Sequence, residues 1–120
     1  MSELNTFFQL PSEFSQKKTG NYTHVNIPQD RIKEVLSALY TDANHALLTV
    51  YAEEIAHEKF TINYVFAAIG SNAILTVTTE VDANNSFHSL GAEFRVFAGY
   101  ENEIMTMFGL TPTGHPGARN

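Results

Sequence analysis

Four charged or titratable residues near the C-terminus suggest a functional site by their types and spacing: Glu101, Glu103, His115 and Arg119. The segment that separates the two glutamates from the other two residues is rich in glycine and proline. Glycine permits backbone angles that other residues avoid, and proline fixes its own φ. We therefore predict that residues 109–120 are not helical, form a poor strand, and hold one irregular path that presents His115 and Arg119.

These side chains leave several kinds of chemistry open. His115 can brace a turn, bind another protein as part of a rigid hook, or act as an acid or base in a pocket. Arg119 is either a solvated terminal charge or an anchor in an interface. Glu101 and Glu103 are two positions apart, so on a helix they point in different directions and cannot form a paired acid and base.

The sequence contains no motif that indicates a metal site or a nucleotide-binding site. The chain has no Cys, which excludes disulfides, thiolate metal sites and thiol nucleophiles. Its histidines show no metal-ligand spacing; they are His24, His45, His57, His88 and His115. Gly109, Gly114 and Gly117 follow a predicted helix and do not precede one, unlike a phosphate-binding loop. We therefore predict neither a metal site nor a nucleotide-binding site.

Composition narrows the class of protein and of partner. The chain has 120 residues, which suits one domain, and 43% of them are hydrophobic. A net charge of −6 with only seven Lys and Arg residues argues against nucleic acid as a partner. No apolar run approaches the roughly 20 residues of a membrane-spanning helix, and the N-terminus does not resemble a signal peptide. We expect a cytoplasmic protein that reaches a membrane only through partners.

Periodicity predicts the elements that position the C-terminal residues. A short strand at 21–27 precedes a first helix, Pro28–Tyr40, whose apolar residues recur every three or four positions. Strand-like runs follow at 47–54, 60–66 and 74–81, the last two forming a hairpin through Gly70. A second helix is predicted at 92–108. This order, β-α-β-β-β-α, predicts an α+β fold with a mostly antiparallel sheet of about four strands and two helices on one face. We divide the chain into an N-terminal arm at 1–20, an α+β domain at 21–108 and a docking tail at 109–120.

Two residues of the second helix are anomalous in this scheme. Glu101 interrupts the apolar stripe of the second helix, so it must lie at the edge of the stripe or pair with a cation or with backbone donors. Gly99, in the middle of the same helix, predicts close approach of another backbone or a break in the helix. Residues 41–44 are typical of the end of a helix, where Asn44 is able to adopt a left-handed conformation.

Residues 101–120 resemble the signature of a known family, the 30-kDa subunit of NADH:quinone oxidoreductase (complex I), which includes the corresponding subunits of energy-converting NiFe hydrogenases. The likeness extends upstream to about residue 21. The residues that match the signature are Glu101, Glu103, Met107, Phe108, Gly109, Leu110, Gly114, His115, Pro116 and Arg119. Charged residues of the family pattern are replaced at Asn102, Thr106, Gly117 and Asn120. The short C-terminal segment resembles the small subunit of an Ech-type hydrogenase.

This resemblance implies a non-catalytic subunit, without a cofactor, that braces a large catalytic subunit. The implied partner is the large subunit of a NiFe hydrogenase or the 49-kDa-type subunit of complex I, at the inner face of the cell membrane. Partner-binding residues implied by the signature are Glu101, Glu103, Phe108, Gly109, Leu110, Gly114, His115, Pro116 and Arg119. The alternative is a free-standing small enzyme or ligand-binding domain that uses His115. The first hypothesis requires an exposed apolar patch beside the tail, and the second requires a closed pocket that contains His115.

Overall fold

A computed structural model describes residue 10 and the ranges 13–81 and 84–113. Seven strands and two helices are described in this part of the chain. In chain order they are β1 (Gln16–Thr19), β2 (Tyr22–Asn26), α1 (Gln29–Thr41), β3 (His45–Ala56), β4 (Lys59–Ala68), β5 (Ile74–Glu80), β6 (Ser86–His88), α2 (Arg95–Phe108) and β7 (Thr111–Thr113).

Five of the strands form one sheet in the order β1-β2-β5-β4-β3. Every neighbouring pair is antiparallel except β2 and β5, which are parallel because α1 and the β3–β4 pair intervene along the chain. The predicted α+β class and the β4–β5 hairpin are therefore confirmed. The sheet has five strands rather than about four, because β1 extends it. The predicted order also lacked the small parallel pair of β6 and β7.

β1 and β7 lie in segments that the sequence assigned to the N-terminal arm and to the docking tail. All four residues of β1 are exposed, so β1 shows no apolar alternation and its sequence gives no strand signal. It forms through its antiparallel hydrogen bonds to β2, from which it is separated by a turn at Gly20 with φ +60°.

α1 ends in a turn that involves Asp42 and Asn44. The Asp42 carboxylate accepts a 2.9 Å hydrogen bond from the Asn44 backbone N–H, and the Asp42 N–H donates to the Leu39 carbonyl. Asp42 is extended, and Asn44 has no positive φ. The left-handed conformation that Asn44 could adopt is not used, because a turn closed by the Asp42 side chain ends this helix instead.

The core lies on one face of the sheet, where both helices pack. α1 buries Ile32, Val35, Leu36 and Leu39 there, and α2 buries Phe97 and Ile104. An aromatic group joins the layers: the ring of Phe97 lies 5.2 Å from that of Tyr40 on α1 and 6.1 Å from that of Tyr64 on β4. Burial of such rings contributes much of the stability of a core.

The second face of the sheet carries a ladder of polar side chains. His24 Nε2 lies 2.8 Å from Thr78 Oγ1, the Thr78 hydroxyl donates to Asn63 Oδ1 at 2.6 Å, and the Asn63 amide donates to Glu53 Oε1 at 3.2 Å. This chain of bonds crosses β2, β5, β4 and β3. The sequence predicted β4 as a half-buried strand, but Thr61 and Asn63 on this face are 5% and 4% exposed. Their neighbours in the sheet cover them, and hydrogen bonding offsets the cost of burying Asn63.

α2 is a continuous helix from Arg95 to Phe108. Apart from its chain neighbours and its own helix backbone, no heavy atom of the described residues lies within 4 Å of a Cβ atom built on Gly99, so no other described backbone approaches it. Both expectations for Gly99, a close contact and a break, were wrong. The residue is exposed to solvent within an intact helix.

Candidate docking site

The carboxylate of Glu101 is buried and holds the loop that precedes α2. Glu101 is 0% exposed. Its Oε1 accepts a 2.6 Å hydrogen bond from the Ser89 hydroxyl, and its Oε2 accepts a 2.8 Å bond from the Leu90 backbone N–H. Of the alternatives that the sequence left open for this carboxylate, pairing with a backbone donor is observed, and the Ser89 hydroxyl is a second donor. We refer to Ser89, Leu90 and Glu101 as the Glu101 clamp.

Gly91 allows the loop to lie against α2. A Cβ atom at this position would lie 2.9 Å from Ala98 Cα and 3.0 Å from Glu101 Oε1. The Gly91 N–H also donates a 3.0 Å hydrogen bond to Ser89 Oγ. This bond orients the Ser89 hydroxyl, which in turn donates to Glu101 Oε1. The close backbone approach that the sequence predicted at Gly99 therefore occurs at Gly91.

Three consecutive residues turn the chain at the end of α2. Gly109 is left-handed, with φ +72°, and its N–H donates a 3.0 Å bond to the Met105 carbonyl. Leu110 is completely buried. The Phe108 ring lies 5.7 Å from the Phe60 ring of β4. A left-handed glycine that ends a helix, with apolar contacts on both sides, fixes the direction in which the chain leaves it.

The segment after this turn is a strand, contrary to the prediction. β7 pairs in parallel with β6, and Pro112, which has no N–H to donate, is buried opposite Phe87. The Thr111 N–H donates to the Asn85 carbonyl at 2.9 Å, and the Ser89 N–H donates to the Thr113 carbonyl at 3.1 Å. The composition of 109–120 gave no strand signal because β6 supplies the partner from 25 residues upstream, as the register of Ser86 with Thr111 shows.

β6 is also fixed to α1. The Gln29 side chain accepts a 2.8 Å bond from the His88 N–H and donates a 3.1 Å bond to the Thr79 hydroxyl. Gln29 thus joins the small β6–β7 pair to the large sheet. Sequence reasoning missed Gln29, Ser89 and Gly91, since their contacts join residues far apart in the chain.

The structure describes five of the predicted partner-binding residues, and they differ in burial. Glu101 and Leu110 are buried, Phe108 is half-buried, and Glu103 and Gly109 are exposed. Gly114, His115, Pro116 and Arg119 lie outside the described residues. Asn102 and Thr106, which replace charged residues of the family signature, are exposed on α2. Contact of any of these residues with a partner stays a prediction.

A buried tyrosine lies close to the Glu101 clamp. Tyr64 is 0% exposed, and its hydroxyl has no hydrogen-bond partner among the described residues. Burial raises the pKa of the Tyr64 phenol far above its ordinary value, and the negative charge of Glu101 raises this pKa further. Tyr64 therefore stays neutral in the folded protein.

Within the described ranges there is an open groove, but no cluster that could hold a metal ion and no helix that could span a membrane. They contain no group of three or more His, Cys, Asp or Glu residues placed to hold a metal ion. An open groove of about 420 Å3 lies beside the turn between β3 and β4, lined by His57, Glu58, Lys59, Phe60, Glu80, Val81 and Asn85. Neither described helix has the length and apolar character to span a bilayer.

The fold and the clamp define a class of protein: a small α+β domain that fixes the C-terminal segment against its second helix. Residues 25–120 match the model of the family described as the respiratory-chain NADH dehydrogenase 30-kDa subunit. The chain belongs to this family, and the resemblance stated from its sequence is confirmed. No curated protein matches the sequence.

Two solved structures have the same fold. One is a trypsin-resistant fragment of Nqo5, with a TM-score of 0.73, 15% sequence identity, and coverage of 89% of this chain and 91% of the fragment. The other is a chain of the membrane-bound sulfane sulfur reductase, an archaeal respiratory membrane complex. It has a TM-score of 0.73, 16% identity, and coverage of 89% of this chain and 69% of that chain. Membership of the family makes this protein a subunit of a multisubunit respiratory complex, so that partner subunits are expected.

Proposed function

We propose that this protein is a non-catalytic structural and assembly subunit that braces the large catalytic subunit of a membrane-associated oxidoreductase. The proposed partner is the large subunit of an energy-converting NiFe hydrogenase or its counterpart in complex I, the 49-kDa-type subunit. In this role the chain lies in the cytoplasm at the inner face of the membrane and contacts the membrane only through the complex.

The observation that carries the proposal is that some signature residues make contacts within the domain, whereas others on the same helix are exposed to solvent. Glu101, Gly109 and Leu110 are used within the chain, where they hold the loop at 89–91 and turn the chain at the end of α2. Glu103 and Met107, on the same helix, point outward, and Met107 is 71% exposed. A segment that contacts within the domain hold in one conformation, and that also exposes side chains to solvent, loses little conformational entropy when it binds a partner.

The clamp supports this role by giving the segment a fixed starting point. Ser89 is bonded to Glu101 through its hydroxyl and to Thr113 through its backbone N–H. The last described residue of the chain is therefore linked to α2 by two consecutive hydrogen bonds. The chain therefore continues beyond Thr113 from a fixed position, and we infer that His115 and Arg119 reach the partner. Arginine is frequent among residues that anchor interfaces.

Purification of the tagged full chain from membranes of its native source tests the proposal. We expect a large hydrogenase or dehydrogenase subunit to be recovered with it in near-equal amount, identified by mass spectrometry, and retained over a range of salt concentrations. A matched preparation of a variant with both His115→Ala and Arg119→Ala should recover less of that subunit. Recovery of the chain alone at every salt concentration would rule the proposal out and favour a free-standing domain.

A further inference from the structure

One side of α2 carries a row of four residues, of which three are exposed and one, Tyr100, is half-buried against the core. Val96, Tyr100, Glu103 and Met107 are spaced by four, three and four positions, which places them in one row along a helix. Val96 is 43% exposed and Met107 is 71% exposed. The adjacent side of α2 carries Phe97, Glu101 and Ile104 into the core. We call the four residues Val96, Tyr100, Glu103 and Met107 the α2 stripe.

The stripe continues onto the edge of the sheet. The Tyr100 hydroxyl lies 3.5 Å from the Leu48 carbonyl of β3, and the Leu48 side chain is 49% exposed. β3 is the outer strand of the sheet on this side. Exposed apolar side chains therefore lie on α2, at Val96 and Met107, and on the neighbouring edge strand, at Leu48, and exposed apolar residues grouped in this way mark interaction sites.

We propose that the α2 stripe binds an amphipathic α-helix of a partner subunit, with apolar residues at three- and four-residue spacing and a Lys or Arg opposite Glu103. The proposal rests on the proposed function and adds a second contact to the one made by the C-terminal segment. The alternation of four and three positions is the spacing that lets two helices pack side by side. From Val96 to Met107 the stripe is about 16 Å long, at about 1.5 Å per residue, which matches three turns of a helix.

Charge indicates the chemistry of the occupant. Glu103 lies between Tyr100 and Met107 on the stripe and forms no salt bridge with a described residue. A carboxylate at the centre of a buried apolar contact is costly unless a cation pairs with it. The helix that covers this surface must therefore bring a basic residue to Glu103, whose position then fixes the register of the contact.

The alternative occupant, an extended strand added to β3, fits less well. The pairing of β3 with β4 shifts register at Leu47/Thr49 and again at Glu54/Ala56, which marks an irregularity toward each end of the edge strand. Such irregularities twist an edge away from further pairing. The Leu48 carbonyl of this edge also accepts a hydrogen bond from the Tyr100 hydroxyl, which an added strand would have to displace. A helix needs none of the edge hydrogen bonds that a strand would use.

The test compares two positions on α2 by the affinity of the purified chain for the partner subunit. Met107→Glu places a second carboxylate on the stripe, whereas Asn102→Glu places the same group on an exposed position outside the stripe, three or four residues from none of its members. We expect Met107→Glu to weaken this affinity by about tenfold or more, and Asn102→Glu to change it by less than about twofold. Equal affinities for the two variants would overturn the proposal.

A photoreactive residue at position 107 identifies the occupant. Cross-links to partner positions three or four residues apart are expected for a helix, and cross-links to alternate positions would overturn the helix in favour of a strand. Cross-links to another copy of this chain, with a dimer seen by light scattering, would also overturn it. If the wild-type chain is recovered in a complex and Met107→Glu behaves like Asn102→Glu, the proposal for the α2 stripe is overturned while the proposed function stands. If the wild-type chain is recovered alone, the proposed function itself fails.

Discussion

Oε1 of Glu101 and the hydroxyl of Ser89, twelve residues apart in the chain, lie 2.6 Å apart in the buried interior. The bond joins α2 to the loop that carries the partner strand of β7. A carboxylate inside an apolar stripe would destabilise a core if it were unpaired. Here it serves as the fixed point from which the C-terminal segment is positioned.

Loss of the Glu101 carboxylate should destabilise the domain. Glu101→Ala leaves the Ser89 hydroxyl and the Leu90 N–H without their acceptor, and a buried unsatisfied group costs about 1–3 kcal/mol. We expect the free energy of unfolding, measured by urea denaturation, to fall by about 3 kcal/mol or more. The control is Glu103→Ala on the exposed side of the same helix, for which a change within about 0.5 kcal/mol is expected. Equal losses for the two variants would show that the clamp contributes nothing of its own.

Tyr64→Phe should have the opposite effect. The Tyr64 hydroxyl is buried without a described partner, so its removal should leave the free energy of unfolding unchanged or raise it by up to about 1 kcal/mol. A clear loss of stability at neutral pH would mean that the hydroxyl is satisfied within the folded protein.

The same variant has a defined pH dependence. Because the pKa of Tyr64 is raised in the folded protein, the unfolded chain loses this proton first, so the free energy of unfolding does not depend on Tyr64 ionisation below the pKa of about 10 of an unfolded tyrosine and falls as the pH rises above that value. Denaturation measured between pH 9 and pH 11, on the order of one unit either side of that value, should show a steeper loss for the wild type than for Tyr64→Phe. Parallel curves would contradict the raised pKa.

Replacement of Gly99, within α2, and of Gly109, at its end, by alanine should change the free energy of unfolding in opposite directions. Gly109→Ala forces a side chain into a left-handed conformation and should lower the free energy of unfolding by about 1 kcal/mol. Gly99→Ala, on the exposed side of the intact helix with no atom near the new Cβ, should raise it by about 1 kcal/mol. The melting temperatures of the two variants, each compared with the wild type, test both expectations at once. A lower melting temperature for Gly99→Ala would indicate a contact that the helix geometry does not contain.

His115→Ala and Arg119→Ala should weaken assembly and leave the isolated fold intact. Both residues follow the last described strand, and we propose that they reach the partner. The amount of large subunit recovered with each variant measures assembly, and the melting temperature of the lone chain measures the fold. A fall of many degrees in that melting temperature would favour a role for the residue as an internal brace.

The sequence was sufficient for features that depend on local pattern. The apolar alternation of β4 and β5 and the helical spacing of α1 predicted those elements and the α+β class. The position of Glu101 within an apolar stripe was also informative, because the cost of burying a charge leaves few alternatives, and one of these is observed.

Features that depend on distant partners could not be predicted. β1 and β7 have polar or proline-containing sequences and become strands only because β2 and β6 lie beside them. Gly91 and Gly99 are equally permissive residues, and only the packing of the loop at 89–91 against Ala98 makes the first of them necessary. The parallel pairing of β2 with β5 depends in the same way on the path of the intervening chain.

The two outer strands of the sheet, β1 and β3, have features that resist aggregation of the chain before it binds a partner. β1 presents the exposed charges of Lys17 and Lys18, and β3 has a register shift toward each of its ends. Charged side chains and irregular pairing are the means by which natural sheets avoid edge-to-edge aggregation. A freshly synthesised subunit with both edges protected in this way can remain monomeric and available for assembly, even though it exposes an apolar surface on α2.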